Sequence, residues 1–380
     1  MELLQREIES QLIKALRPNK AVLLLGPRRV GKTVMLKKIA SEQSGSTLFL
    51  NGEDQDTIDI LERRSIQNYR TLLNEYSLLV VDEAQKIPDI GLKLKLIVDE
   101  IDHIKVIASG SSAFDINNQT GEPLTGRKTT FRLFPFSENE LSKLENPVEQ
   151  RGNLRERLVF GNYPELTYLT GRNAKEKYLR ELLESYLLKD ILAFDEIRMS
   201  DKIFSLLRLI AYQIGQDISY TEIGRQLGMS KNTVESYLDI LEKVFILYRV
   251  GSFSSNLRKE VAKAKRWYFY DNGVRNAIIS NYSPIDLRND VGQLWENYVV
   301  AERAKFLRYR EIYSETYFWR TYDQQEIDWI ESKNGQLDAY EIKWSNKKKF
   351  RVPVAWRKAY PESTFEVISP DNFLGWVKPE

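Results

Sequence analysis

Gly26-Pro27-Arg28-Arg29-Val30-Gly31-Lys32-Thr33 fills every position of the GxxxxGK[ST] pattern. Such a loop turns its backbone N–H groups toward phosphate oxygens, balances their charge with the lysine ammonium and holds magnesium through the Ser/Thr hydroxyl. Lys32 and Thr33 are therefore the first candidate site residues, with Gly26 to Gly31 as the cradle. A second pair, Asp82-Glu83, closes the apolar run Leu78-Leu79-Val80-Val81. At the end of a buried strand, Asp82 is placed to hold magnesium through water and Glu83 to polarise an attacking water. These residues predict ATP and Mg2+ as cofactors and hydrolysis as the reaction.

Carboxylates of a different kind lie near the carboxyl end. Asn334-Gly335 is a hairpin signal between Gln325–Ser332 and Gln336–Ser345, both readable as strands. With those residues in the turn, Lys333 opposes Gln336, Asp328 opposes Glu341 and Glu326 opposes Lys343. Alternation puts these last four side chains on one face. Opposed β carbons lie ~4.5–5.5 Å apart, close enough for Asp328 and Glu341 to share a divalent cation that relieves their repulsion. The alternative is a Glu326–Lys343 ion pair beside two half-exposed acids. Glu331-Ser332-Lys333 repeats the Glu-x-Lys spacing, but its acids face the other side and its lysine runs into the turn. Lys343, Lys347-Lys348-Lys349, Arg351, Arg357 and Lys358 form a basic cluster suited to phosphate.

A third group carries recognition chemistry. Tyr220–Gly228 reads as a helix stopped by glycine, followed by a second helix from Lys231 to about Lys243, the order of a helix-turn-helix. Ile223, Leu227, Val234, Leu238 and Leu241 form packed faces. Lys231, Asn232, Thr233 and Ser236 are left to reach phosphates and base edges of DNA. Phe245–Ser252, the basic residues from Arg258-Lys259 through Lys263, Lys265 and Arg266, and Trp267–Tyr270 read as a wing. Glu235 on the second helix opposes phosphate, and the same fold also docks proteins.

The elements that position these groups follow from the apolar pattern. Strand-like runs at Ala21–Leu25, Thr47–Asn51, Ser77–Asp82, Lys105–Ser109 and Phe131–Pro135 alternate with helical stretches, the mark of a parallel, helix-covered sheet. From Ser137 to about Phe194 the pattern is helical. The 380 residues are 42% hydrophobic and 29% charged, which suits several soluble domains and leaves no run long enough to cross a bilayer. With no cysteine and a single histidine, His103, thiolate and histidine-based metal sites are excluded. A net charge of +2 does not by itself announce nucleic acid, so DNA contact has to rest on local patches. The acidic start Met1-Glu2-Leu3-Leu4-Gln5-Arg6-Glu7-Ile8 is unlike an export signal, and a cytoplasmic location without membrane contact is expected.

Taken together, these residues resemble AAA-type, RecA-like P-loop ATPases that carry a nuclease-like carboxy-terminal domain. The resemblance implies an α/β fold with four parts: a parallel-sheet ATPase core at 1–137, a helical lid at 138–198, a winged helix-turn-helix at 199–270 and a restriction-endonuclease-like domain at 271–380. It implies Ser111 as the γ-phosphate sensor ending the fourth strand, with Ser109 as the other choice, and Arg127 as an arginine finger. Phe160-Gly161-Asn162-Tyr163-Pro164-Glu165 resembles, with uneven spacing, the lid motif that touches the base. Asp328 with Glu341-Ile342-Lys343 is similar to the PD-(D/E)xK pattern, and Glu296 resembles that superfamily's helical acid. Asp328, Glu341 and Glu296 would then serve a metal, and Lys343 the attacking water or scissile phosphate. No proline precedes Asp328, a departure that the wider superfamily tolerates. The expected protein hydrolyses ATP and binds, remodels or cuts DNA, with a homo-oligomer suggested by the finger. A nucleotide-controlled switch holding a protein or RNA partner is the alternative.

Overall fold

The computed structural model describes residues 4–111, 124–187, 191, 200–254, 265–345 and 350–378. Arg258, Lys259 and Lys263 of the expected wing, and Lys347 to Lys349 of the basic cluster, lie outside the described residues. Two compact units are present: Met1–Phe134 with Lys243–Phe245, and Pro135–Glu242 with Ile246–Glu380.

The first unit is built on a parallel sheet. After α1 (Glu9–Ala15) come β1 (Ala21–Leu25), α2 (Lys32–Glu42), β2 (Thr47–Asn51), α3 (Gln55–Glu62), α4 (Ile66–Leu73), β3 (Leu78–Asp82), α5 (Ile90–Glu100), β4 (Lys105–Gly110) and β5 (Lys128–Arg132). The strand order is β2-β3-β4-β1-β5. Every residue of β1 and β3 is buried, as strands covered on both faces require. Asp54 and Ser65 cap α3 and α4 by accepting the N–H groups of Asp56 and Asn68. The strand expected at Phe131–Pro135 forms three residues earlier. Its register is set by β1, Ala21 opposite Lys128 through Leu25 opposite Arg132, and Pro135 has no N–H to extend it.

The second unit begins with short helices: α6 (Glu138–Leu141), α7 (Pro147–Phe160), α8 (Arg172–Leu182), α9 (Ser200–Tyr212), α10 (Tyr220–Leu227) and α11 (Lys231–Lys243). Next are β6 (Leu247–Ser252), β7 (Lys265–Phe269), α12 (Asn272–Ile278), the 19-residue α13 (Val291–Tyr309), β8 (Glu315–Arg320), β9 (Glu326–Lys333) and β10 (Gln336–Ile342). The chain closes with α14 (Val354–Ala359), β11 (Thr364–Ile368) and α15 (Phe373–Val377). Asn334 and Gly335 have φ of 52° and 83°, the paired left-handed conformations of a tight hairpin turn, and β9 pairs β10 from Lys333 opposite Gln336, as expected.

One six-stranded sheet, β11-β10-β9-β8-β6-β7, runs through this unit. The strands β6 and β7, expected as a wing, belong to this same sheet. Gly251 and Ser252 of β6 pair in parallel with Tyr317 and Phe318 of β8. Along the β7 edge, the carbonyls of Lys265 and Trp267 accept the N–H groups of Ile218 and Gly215. At Phe269, Asn297 of α13 closes both the N–H and the carbonyl, at 2.7 and 3.0 Å.

Helix α13 also organises a buried polar cluster. Glu302 accepts the Glu138 N–H at 2.8 Å, the Asn162 amide at 3.1 Å and the Lys305 ammonium at 2.6 Å. Lys305 reaches the Phe136 carbonyl at 3.1 Å, Arg157 binds Glu138 at 2.8 Å, and the Tyr298 hydroxyl donates to Glu138. Such charges are tolerated in a core because each has a partner. Among the described residues no helix is long and apolar enough to cross a membrane.

Candidate nucleotide site and a carboxylate centre

The parallel register of the first unit brings strand ends together: Leu24 lies opposite Ser109, Leu25 opposite Gly110, and Val81 opposite Ala108. Open α/β sheets bind ligands at this carboxyl edge. The loop Gly26–Gly31 leaves β1 there, and its Gly26 N–H bonds the Gly110 carbonyl at 3.2 Å. A β carbon on Gly26 would stand 2.1 Å from the Leu133 carbonyl oxygen, so only glycine fits. Pro27, Arg28, Arg29 and Val30 carry the loop to Gly31 and to Lys32, the first residue of α2.

Lys32 is buried and arches back over the loop, donating to the Gly26 and Pro27 carbonyls at 2.8 and 3.0 Å. Thr33 Oγ1 donates to Asp82 Oδ2 at 2.6 Å, which places the hydroxyl and the first carboxylate side by side. Ser109 donates to the other Asp82 oxygen and accepts the Glu83 N–H at 3.2 Å. Glu83 stands just past β3 in a left-handed conformation, φ 49°, which turns the chain away from the sheet. Ser111 is buried and joined to Glu83 through Gln85. Thus Lys32, Thr33, Asp82, Glu83, Ser109 and Ser111 converge at one strand edge.

Arg127 does not join them within its own chain. Its carbonyl accepts the Ala21 N–H at 2.8 Å, at the opposite end of β1 from the loop, and its side chain pairs with Asp99. Five strand residues at ~3.3 Å each separate it from the phosphate cradle. Arg6 is a residue that sequence reasoning missed: its guanidinium binds the Val30 and Phe134 carbonyls, both at 2.7 Å, bracing the loop. No local pattern marks it, because both partners are distant in sequence.

In the second unit the hairpin sets the carboxylate pair. The ladder runs to Tyr340 opposite Trp329, and beyond it the Asp328 side chain accepts the Ile342 N–H at 2.9 Å. Lys343 then bridges the acids, 3.1 Å from Asp328 Oδ2 and 2.6 Å from Glu341 Oε1. The alternative Glu326–Lys343 pair does not form, since Glu326 binds Arg266 at 2.9 Å. Glu331 of the decoy is held by Arg303. Glu296, on α13, accepts the Tyr268 hydroxyl at 2.8 Å.

Burial and the charge of Asp328 push Glu296 up to about 8 and Glu341 up to about 7. Burial pulls Lys343 down, but Asp328 and Glu341 outweigh it and hold the ammonium above its ordinary range. Among the described residues no three His, Cys, Asp or Glu side chains are spaced to cage a metal. Lys343 bridges Asp328 and Glu341, and Glu296 lies near enough to feel the Asp328 charge. Glu341 Oε2 is buried without a hydrogen-bond partner, so the pair fits a hard cation completed by water or phosphate oxygens.

Helix α11 exposes Lys231, Asn232 and Ser236, while Thr233 is half-buried and its hydroxyl lies 2.8 Å from Ser230 Oγ. Glu235 is paired with Lys265 at 2.9 Å, and that bond holds its carboxyl below the usual range. The lid-like segment Phe160–Glu165 turns inward: Asn162 is buried and bonded to Tyr298 and Glu302.

The comparisons with known proteins fit the first unit. A family described as "AAA domain" matches residues 18–142, and two families described as domains of unknown function, DUF8612 and DUF4143, match residues 151–284 and 291–369. "Uncharacterized protein Rv2008c" of Mycobacterium tuberculosis is 23% identical over 346 residues, covering 89% of this chain and 74% of the relative. "Uncharacterized protein MJ1544" of Methanocaldococcus jannaschii is 24% identical over 391 residues, covering 97% and 84%. Among solved structures, the "Replication initiator DnaA bound to AMPPCP and single-stranded DNA" is 14% identical with a TM-score of 0.33, over 62% of this chain and 86% of that one. The loop, the parallel sheet and the AAA match define the class of the amino-terminal part: an AAA-type P-loop ATPase domain.

Proposed function

We propose that this protein binds ATP with Mg2+ and hydrolyses it to act on DNA. The convergence of Thr33, Asp82, Ser109 and Glu83 at the end of the loop-bearing sheet carries the reading. The loop N–H groups would hold the phosphates, and Lys32 would exchange the Gly26 and Pro27 carbonyls for phosphate oxygens. Thr33 and Asp82 would hold magnesium, whose chemistry is to neutralise charge on the transferring group. Glu83 would take a proton from the attacking water. Ser111 would sense the γ-phosphate, and Arg127 would serve a neighbouring copy in an oligomer. The expected result is that Lys32→Ala and Glu83→Gln abolish Mg2+-dependent phosphate release. Turnover at the normal rate in either variant removes the assignment.

DNA contact is assigned to Lys231, Asn232, Thr233 and Ser236 on α11. Neutralisation of Glu235 by Lys265 supports this, because it removes the one acid that sequence alone sets against phosphate. Asp328, Glu341 and Lys343 form a nuclease-like centre, supported by the unpartnered Glu341 oxygen. Glu296, whose carboxyl feels the Asp328 charge, would assist the metal. Cleavage of linear, single-stranded and branched DNA with Mg2+ or Mn2+, compared with Lys343→Ala, tests that centre. Absence of DNA binding and cutting at low salt, with a protein partner surviving nuclease treatment in a pull-down, would replace this reading with the switch.

A further inference from the structure

Gln85 sits two residues beyond Glu83, and nothing in its sequence surroundings marks it. Its carboxamide Nε2 lies 2.7 Å from Glu83 Oε2 and 3.2 Å from Ser111 Oγ. An amide nitrogen has two hydrogens, so both contacts are made at once as donors. The reverse orientation would face the amide oxygen toward a carboxylate, two acceptors in contact, so the assignment follows from the partners. The remaining atom, Gln85 Oε1, is buried and has no hydrogen-bond partner.

This geometry fixes the hydrogen-bond direction at Glu83 and Ser111. Glu83 receives a hydrogen bond on Oε2, which orients its carboxylate as an acceptor. Ser111 Oγ accepts from Gln85, so its single hydroxyl proton has to point elsewhere. Ser111 directly follows Gly110, whose carbonyl binds the Gly26 N–H of the phosphate loop, so that proton is available beside the place where a terminal phosphate rests.

We infer that Gln85 is a positioning residue of the ATPase site, which holds Glu83 as acceptor and Ser111 as donor. The inference rests on the assignment of Glu83 and Ser111 under the proposed function. No bond is made or broken at Gln85. In the hydrolysis it serves, the water's oxygen bonds to the γ-phosphorus as the bond from that phosphorus to the ADP oxygen breaks; one water proton passes to Glu83 and the other stays on the phosphate formed.

The test compares steady-state ATP hydrolysis and nucleotide binding in the full chain carrying Gln85→Met, which keeps the bulk, Gln85→Asn, which keeps a shorter amide, and Gln85→Glu, which sets a second acid against Glu83. Gln85→Met is expected to lower kcat about 10- to 100-fold, the scale of a positioned proton-handling group, with the Kd for ATP within about twofold of the parent. Gln85→Asn is expected to recover part of the loss, and Gln85→Glu to lose more than Gln85→Met. Ser111→Ala combined with Gln85→Met should cost less than the product of the two single losses, since the residues act as one unit. Unchanged kcat in Gln85→Met, a loss confined to KM, or strictly multiplicative effects with Ser111→Ala would each overturn the inference. Glu83→Gln run in parallel separates the two readings. If it is inactive while Gln85→Met is normal, only the role of Gln85 falls; if it is fully active, the assignment of Glu83 falls and takes Gln85 with it.

Discussion

A single buried acid shows how the structure reads at the residue scale. Glu302 is pushed up to about 7, first by burial and then by the neighbouring Glu138 charge, with the Lys305 ammonium opposing. Arg157 and Tyr298 face the same cluster through Glu138. The folded chain therefore holds the Glu302 proton to a higher pH than an unfolded chain, which releases it near 4.5. That contribution to stability is complete below about pH 4.5 and is lost as pH rises through about 7, up to ~3 kcal/mol in all. Glu302→Gln is neutral throughout, so its stability relative to the parent should climb across this window. Urea unfolding of both proteins at pH 5 and pH 8 measures it, and a constant difference would contradict the account. At this scale Lys32, Thr33, Asp82 and Glu83 were legible because their chemistry lies in contiguous pattern. Arg6, Gln85 and Asn162 were not, since their roles depend on partners that only the folded chain brings near.

At the scale of elements, the hairpin between β9 and β10 was the most legible piece of the carboxy-terminal half. Two turn residues and strict alternation are enough to place Asp328 beside Glu341. Sequence could not show that Lys343 would bridge them, because a lysine has the reach to choose between Glu326 and the acid pair. A cation that replaces the ammonium between the acids should bind the native state alone. Mn2+ is therefore expected to raise the melting temperature of the parent and to leave Asp328→Asn unmoved by comparison. An equal shift in both would show that the ion binds elsewhere. The displaced strand Lys128–Arg132 teaches the complementary point: apolar content suggested Phe131–Pro135, but hydrogen bonding to β1 decided the register. Likewise β6 and β7 have the pattern of a wing, and only their pairing to β8 shows which sheet they extend.

For the whole molecule, charge is informative through its smallness. A net +2 cannot attract DNA over a distance, so the proposed DNA binding has to draw on local cations such as Lys231. Replacing Lys231 with Ala is expected to weaken binding similarly across DNA sequences and to reduce the slope of log affinity against log salt by about 1. Fluorescence anisotropy at several salt concentrations provides the measurement, and an unchanged slope would take Lys231 out of the interface. The division into two compact units was partly legible, because the run of parallel strands ends where the helical pattern begins near residue 137. The continuity of everything after it was not, because sheet membership across 250 to 368 is a non-local property.

The closed edge of β7 bears on how copies of the chain can meet. An open strand edge is a template for another strand and a route to aggregation. Here backbone groups of Gly215 and Ile218 and the amide of Asn297 already occupy the carbonyls of Lys265, Trp267 and Phe269. Self-association by continuing the sheet past β7 is therefore blocked by the chain itself. Asn297→Leu should unblock the Phe269 end and increase light scattering on mild heating, while an assembly built through side-chain contacts elsewhere would keep its stoichiometry.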